Sequence, residues 1–108
     1  MRIRKTDPSS DILTDEEVLS AAKVADALAH PARIRMLQFI LNANAERKIV
    51  TNKDVVEAFD YSQATVSQHL SKMIIGGLIE TKKRGTSTCY FVKAGALVAF
   101  TKTILKVK

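Results

Sequence analysis

Residues 61–73 read YSQATVSQHLSKM, a stretch with the apolar rhythm of a helix and an uncommon choice of polar residues. Val66, Leu70 and Met73 recur at helical spacing and share one face, with Ile74 beside them. The opposite face carries Ala64, Thr65, Gln68, Ser71 and Lys72, with Gln63 at the front end. A solvated helix face is ordinarily laced with Glu–Lys pairs. Here there are hydroxyls, amides and one lysine, and no carboxylate from Tyr61 to Ile79. Such a face is suited to a partner that is itself negatively charged.

The whole chain supports that reading. Its 108 residues suffice for one domain with a modest core, and 46% hydrophobic with 26% charged residues is ordinary for a folded chain. No apolar run reaches the roughly 18 to 20 residues that a membrane span requires, so no membrane partner is expected. MRIRKTDPSSD at the start has no hydrophobic core of a secretory signal. A single cysteine excludes an internal disulfide framework and suits a reducing cytoplasm, the expected location. The net charge of +6 is unevenly spread: residues 1–60 hold 9 basic and 10 acidic side chains, residues 61–108 hold 8 basic and only Glu80 acidic. The basic half begins where the unusual helix begins. A one-sided basic field is the footprint of a polyanion binder, although net charge alone serves solubility equally well.

Outward from the helix, the order of elements can be followed. Residues 1–12 are polar and read as a flexible tail; 13–108 read as one domain. Thr14 and Glu17 have the spacing of a capping box opening a first helix to about Ala29, with a small-residue stripe of Val18, Ala22, Ala25 and Ala29. Pro31 suits the first turn of a second helix, whose Ile34, Leu37, Ile40 and Leu41 would face inward and which frays in NANAERK. Ile49–Val50 is a possible short strand, and Thr51 caps a short third helix through Val55, Val56 and Phe59. Asp60-Tyr61-Ser62 is a turn, Ser62 caps the quoted helix, and Gly76-Gly77 ends it. LIETKK and STCYFV read as two strands joined around Arg84-Gly85-Thr86. A last helix runs from Ala94 to Lys108.

This order predicts a mainly α fold with a small β-hairpin: a winged helix-turn-helix. The second helix of such a pair lies in the major groove of double-stranded DNA. Gln donates and accepts at base edges, Ser and Thr bond bases or phosphates, and Ala or a Thr methyl packs on thymine. A carboxylate there would face phosphates, which accounts for its absence.

The residues at these positions also resemble the ArsR/SmtB family of bacterial winged-helix repressors. The likeness rests on ALAHPARIRMLQFI (27–40) and SQATVSQHLSKMIIGGLIETKKRGTSTCYF (62–91), where the Ala-Leu-x-x-Pro-x-Arg opening and the Thr-Val-Ser-x-His-Leu core occur together. The resemblance implies a homodimer, paired through first and last helices, that binds operator DNA and releases it on an effector signal. It also marks a departure. Where many members place metal-binding cysteines at the start of the DNA-binding motif, this chain has Thr51 and Lys53. After Glu80 it has no Asp, Glu or His, so its last helix lacks the usual ligands. His30, His69 and Cys89 lie far apart without chelating spacing. No metal and no cofactor are expected, and the effector is open.

The residues expected to meet DNA are Gln63, Ala64, Thr65, Ser67, Gln68, His69 and Lys72 on the helix, with Lys82, Lys83 and Arg84 at the wing tip. The N-terminal turn enters the groove deepest, favouring Gln63, Thr65 and Gln68 for bases; Ser67 and Lys72 suit phosphates. The wing cations suit phosphate or the minor groove, or else guard an exposed strand edge. Arg2, Arg4 and Lys5 fit either a minor-groove arm or a free tail. His69, on the flank between faces, fixes the helix or contacts phosphate; His30 reads as an N-cap or turn residue before Pro31. Arg33 and Arg35 reach phosphates or are ordinary helix charges. Cys89 is read as a small buried hydrophobe, with a redox role as the lesser alternative. Leu97, Val98, Phe100, Ile104, Leu105 and Val107 span about half the helical wheel at ~100° per residue. That is wider than one buried face: either the stripe caps the monomer core or, the reading preferred, Leu97, Phe100, Ile104 and Leu105 form a dimer surface with Leu19. No nucleophile–base pair, paired acid or phosphate loop is present, so no enzyme is expected. A winged helix used for protein contact, or as an architectural DNA binder without effector, is the competing use.

Overall fold

The computed structural model describes residues 12–107. The expected tail and its arginine arm therefore lie outside the described residues. Five helices and a hairpin follow in order: α1 Asp15–Leu28, α2 Pro31–Ala45, α3 Asn52–Phe59, α4 Gln63–Ile75, β1 Ile79–Arg84, β2 Ser87–Val92 and α5 Ala94–Ile104.

Local chemistry sets most of the boundaries. Thr14 and Glu17 close the capping box of α1, and Thr51 with Asp54 closes a second one on α3. His30 caps α2 by accepting the Ala32 N–H on Nδ1 at 3.0 Å, with Pro31 at the first position. Ser62 accepts the Thr65 N–H at 3.1 Å and opens α4. The turn between α3 and α4 is made by Asp60 at φ 55°, in the left-handed region that Asp tolerates better than most residues. In the hairpin, Arg84 pairs with Ser87 around a Gly85-Thr86 loop, and Gly85 supplies the positive φ of 62° that a tight turn needs at its first position.

The core gathers Val24 and Ala27 of α1, Met36, Leu37 and Ile40 of α2, Val55 of α3, and Val66, Leu70 and Met73 of α4, closed by Leu78, Ile79 and Tyr90. Among the described residues no polar or charged side chain is fully buried. Fully burying side chains of this size stabilises by about 1.5–3 kcal/mol each, so the core rather than helix propensity holds these short helices. The structure also corrects several inner faces. Ile34 and Leu41 are exposed; the inward residues of α2 are Ala32, Met36, Leu37 and Ile40. On α1, where no inner face was assigned, Val24 and Ala27 point inward, and Ala22, Ala25 and Ala29 of the small-residue stripe are exposed. Ile74 is likewise exposed rather than beside the α4 core stripe. A helical wheel tells which residues share a face, not which of two apolar faces is covered.

Three boundaries differ as well. α2 continues to Ala45, into the stretch expected to fray, and ends before Glu46-Arg47-Lys48. Ile49–Val50 is not a strand: the contact is one antiparallel bridge, Thr51 to Cys89, with the Tyr90 N–H donating to the Val50 carbonyl at 2.9 Å. α5 stops at Ile104.

Candidate nucleic-acid interface

α4 presents Gln63, Ala64, Ser67, Gln68, Ser71 and Lys72 to solvent while burying Val66, Leu70 and Met73. The polar face anticipated from the quoted stretch is thus outward along the whole helix. Two of its hydroxyls also hold the motif together. Thr65, half-buried, accepts from the Ser62 hydroxyl on Oγ1 at 3.0 Å, and Ser67 accepts from the Asn52 amide at 3.1 Å. In both, the hydroxyl oxygen accepts, which leaves its own proton to donate elsewhere. The Asn52–Ser67 bond also ties α3 to α4.

The wing tip carries Lys82, Lys83 and Arg84, all exposed. Lys82 Nζ lies 5.2 Å from the centre of the Phe91 ring, a cation–π contact that steadies its stem on the hairpin face. The hairpin base is fixed by a residue that sequence reasoning missed. Asn44 of α2 donates from Nδ2 to the Tyr90 carbonyl at 3.3 Å and accepts the Val92 N–H on Oδ1 at 2.9 Å. Its amide thus serves as a short piece of strand along the free edge of β2. The signal was present: Asn44 falls on the Met36–Ile40 stripe, where a polar side chain needs a partner.

The fold brings His69 and His30 together although they lie 39 positions apart in sequence; their rings are 4.6 Å apart. The Tyr61 ring lies 6.3 Å from His69 on another side. Burial, then the nearby His30 and Arg33, hold the His69 pKa below the ordinary histidine value, so the ring is neutral near pH 7. Arg33, whose role the sequence left open, is half-buried and bonded within the protein; Arg35 is exposed. Cys89 is 1% exposed in the hairpin base, as a packed apolar residue is.

The helix C-terminus also has a constraint that composition did not reveal. A Cβ on Gly76 would stand 2.5 Å from the Ala27 Cβ, so the end of α4 packs its bare backbone on the Ala27 methyl of α1 at this point. Gly77 then turns the chain at φ 80°. The dimer residues divide. Leu97 and Phe100, half-buried, pack against the core of their own chain, the other of the two roles weighed for this stripe. Leu19, Val98, Ile104 and Leu105 remain exposed, Leu105 at 69%. No helix among the described residues is long and apolar enough to cross a membrane.

Comparison with known proteins agrees with this geometry. Residues 35–86, from α2 to the hairpin loop, match the family model described as iron dependent repressor, N-terminal DNA binding domain. A probable mercury resistance operon repressor of Streptomyces lividans is 37% identical over 73 residues, 68% of this chain and 54% of that protein. The chain therefore spans about half the length of that relative. Among solved structures, an ArsR-like transcriptional regulator from a Rhodococcus species superposes with a TM-score of 0.72 at 20% identity, covering 82% of this chain and 79% of the other. A homodimeric winged helix-turn-helix DNA-binding domain from Mycobacterium bovis, described as a possible ArsR-family regulator, gives a TM-score of 0.66 at 20% identity, with 88% and 87% covered. With the element order, the helix-turn-helix and the hairpin wing all in place, the chain has the winged helix-turn-helix fold of the ArsR-like structures it superposes on.

Proposed function

We propose that the protein is a sequence-specific DNA-binding transcriptional regulator, a dimeric repressor that reads an operator through α4 and the wing. The observation that carries this is the solvent-facing side of α4: amides, hydroxyls and Lys72, with no carboxylate, in the half of the chain that also bears the wing cations. Gln63, Ala64, Thr65 and Gln68 address bases, and Ser67, Lys72, Lys82, Lys83 and Arg84 address phosphates or the minor groove; His69, half-buried on the flank of α4, fixes the helix. The apolar residues left outward on α1 and α5, Leu19, Ile104 and Leu105, meet a second copy, as the homodimeric state described for the Mycobacterium bovis domain encourages. Two recognition helices then address half-sites about one helical turn, ~34 Å, apart. The working compartment is the cytoplasm.

The effector is open. The descriptions of the matched family and of the Streptomyces relative name iron and mercury, but among the described residues no group of three or more His, Cys, Asp or Glu converges to hold a metal. Zinc, cadmium, arsenite or nickel at micromolar concentration is expected to leave the DNA complex intact.

The test is titration of a duplex selected by the protein from a random pool, and of a scrambled duplex, at several salt concentrations. Gln68→Ala should weaken the selected duplex by about 1–3 kcal/mol and leave the scrambled one nearly unchanged. Lys83→Ala should weaken both alike and lower the salt slope by roughly one unit. A protein that selects no duplex and shows no salt slope overturns the reading in favour of protein–protein contact.

A further inference from the structure

Arg33 is a half-buried cation on the inward stripe of α2, and it uses its donors on two other helices. Nε donates to the Ala27 carbonyl at 2.7 Å and Nη2 to the Asp26 carbonyl at 3.3 Å, both in the last turn of α1. Nη1 stands 3.3 Å from Nδ1 of His69, in the middle of α4. A guanidinium has donors only, so Nδ1 must offer its lone pair and the ring proton must sit on Nε2. α1 needs this help. It has no basic residue in its last turn, and Ala29 rather than glycine closes it, so its final carbonyls are bonded and compensated by a cation from α2.

On α4, His69 directly follows Gln68, and Arg33 lines the same surface groove as Ser67, Gln68, His69, Ser71 and Lys72, about 470 Å³ in volume. Two roles fit a cation there. It clamps a phosphate in the groove, or it holds the helix that does the reading. The three internal bonds favour the second, because a guanidinium committed to two carbonyls and an imidazole has little left for an outside anion.

We infer that Arg33 is a positioning residue for α4: by joining the last carbonyls of α1 to His69 it sets how the polar face of α4 is presented, without contacting DNA itself. The inference rests on the DNA-binding reading above. It joins the helix that carries Leu19 of the dimer surface to the helix that carries Gln68. Lysine keeps the charge but cannot span two carbonyls and an imidazole at once.

The experiment is a double-mutant cycle on duplex selectivity, using a duplex selected by the wild type from a random pool and a scrambled one. Arg33→Met and His69→Phe should each lower the preference for the selected duplex by about tenfold, and the double variant should lose no more than either single one. Arg33→Lys should behave like Arg33→Met, and the salt slope should stay unchanged in all of them. His69→Asn, which places an amide oxygen near the position of Nδ1, should retain most of the preference. The His69→Phe arm leaves the α1 bonds intact, so it reports even where Arg33→Met folds poorly. Losses that add in the double variant overturn the inference. So does a weakening of both duplexes alike that Arg33→Lys repairs, since a phosphate contact behaves in that way. A wild type with no preference for any duplex overturns the DNA reading and this inference with it, whereas additive losses in a selective protein overturn this inference alone.

Discussion

α4 and α5 are both helices lying on the surface, and their exposed sides ask for opposite partners. α4 buries three full side chains, Val66, Leu70 and Met73, and turns amides and hydroxyls outward; water satisfies that face when nothing is bound. α5 buries no residue fully. It rests Ala96, Leu97 and Phe100 on the core and leaves Val98, Ile104 and its C-cap Leu105 in solvent. An exposed polar face costs nothing to keep free, while exposed aliphatic groups are stabilised only by being covered. α4 is therefore anchored within its chain with its polar side free, and the outward aliphatic side of α5 is the one we propose meets a second copy.

The sharpest way to break this contrast is to truncate one residue from each helix. Leu70→Ala should cost about 2–5 kcal/mol of stability at any protein concentration, because it empties a buried site. Leu105→Ala should leave the folded chain nearly as stable at high dilution and lower the midpoint of thermal unfolding only where the chain is associated. Thermal melts over a hundredfold range of concentration decide between them; equal, concentration-independent losses would remove the distinction. Gly76→Ala is next in size. The added methyl meets Ala27 Cβ, part of a packed helix crossing with no flexible end to yield, so about 1–3 kcal/mol is expected in denaturant titration. Asn44→Ala should cost about 1–3 kcal/mol by leaving the Val92 N–H and the Tyr90 carbonyl without their partner. Its mark is local: faster amide exchange at Val92, with the exchange of α4 little changed.

The smallest effect concerns pH. Glu17 is bonded by the Lys106 ammonium and by the Thr14 N–H, which hold its pKa below the usual carboxylate range. A depressed carboxylate contributes stability that is present above its unfolded pKa and lost as pH falls through the folded one. Acid should therefore loosen the junction of α1 with the chain just beyond α5 before it disturbs the core, and Glu17→Gln should flatten stability across that window. Stability measured from pH 6 down to pH 3 in both proteins tests this, and identical curves would show that the pair contributes nothing.

Much of the candidate interface was legible because its signals are local. Thr14, Thr51 and Ser62 cap from positions a few residues away, and the polar face of α4 is a matter of spacing. The misreadings share a cause. Ile34 and Leu41 have the chemistry of core residues and the spacing of a helical face, yet a neighbouring stripe won the inward position. For Leu97 and Phe100 the sequence leaves core and dimer surface both open, because a wide aliphatic arc does not reveal where its own core ends.

What the sequence determined by itself, then, is the order of helices and hairpin, the caps, the basic half and the carboxylate-free reading face, all carried by residues within a turn or two of one another. Tertiary structure alone decided that Arg33 spans from Ala27 to His69, that Asn44 holds the wing through Tyr90 and Val92, and that Gly76 must lack a side chain. These are contacts between elements distant in the chain. Hydrogen bonds and close approaches of that kind depend on how helices cross in space, and the crossing is settled only when every buried stripe has found its place in one shared core.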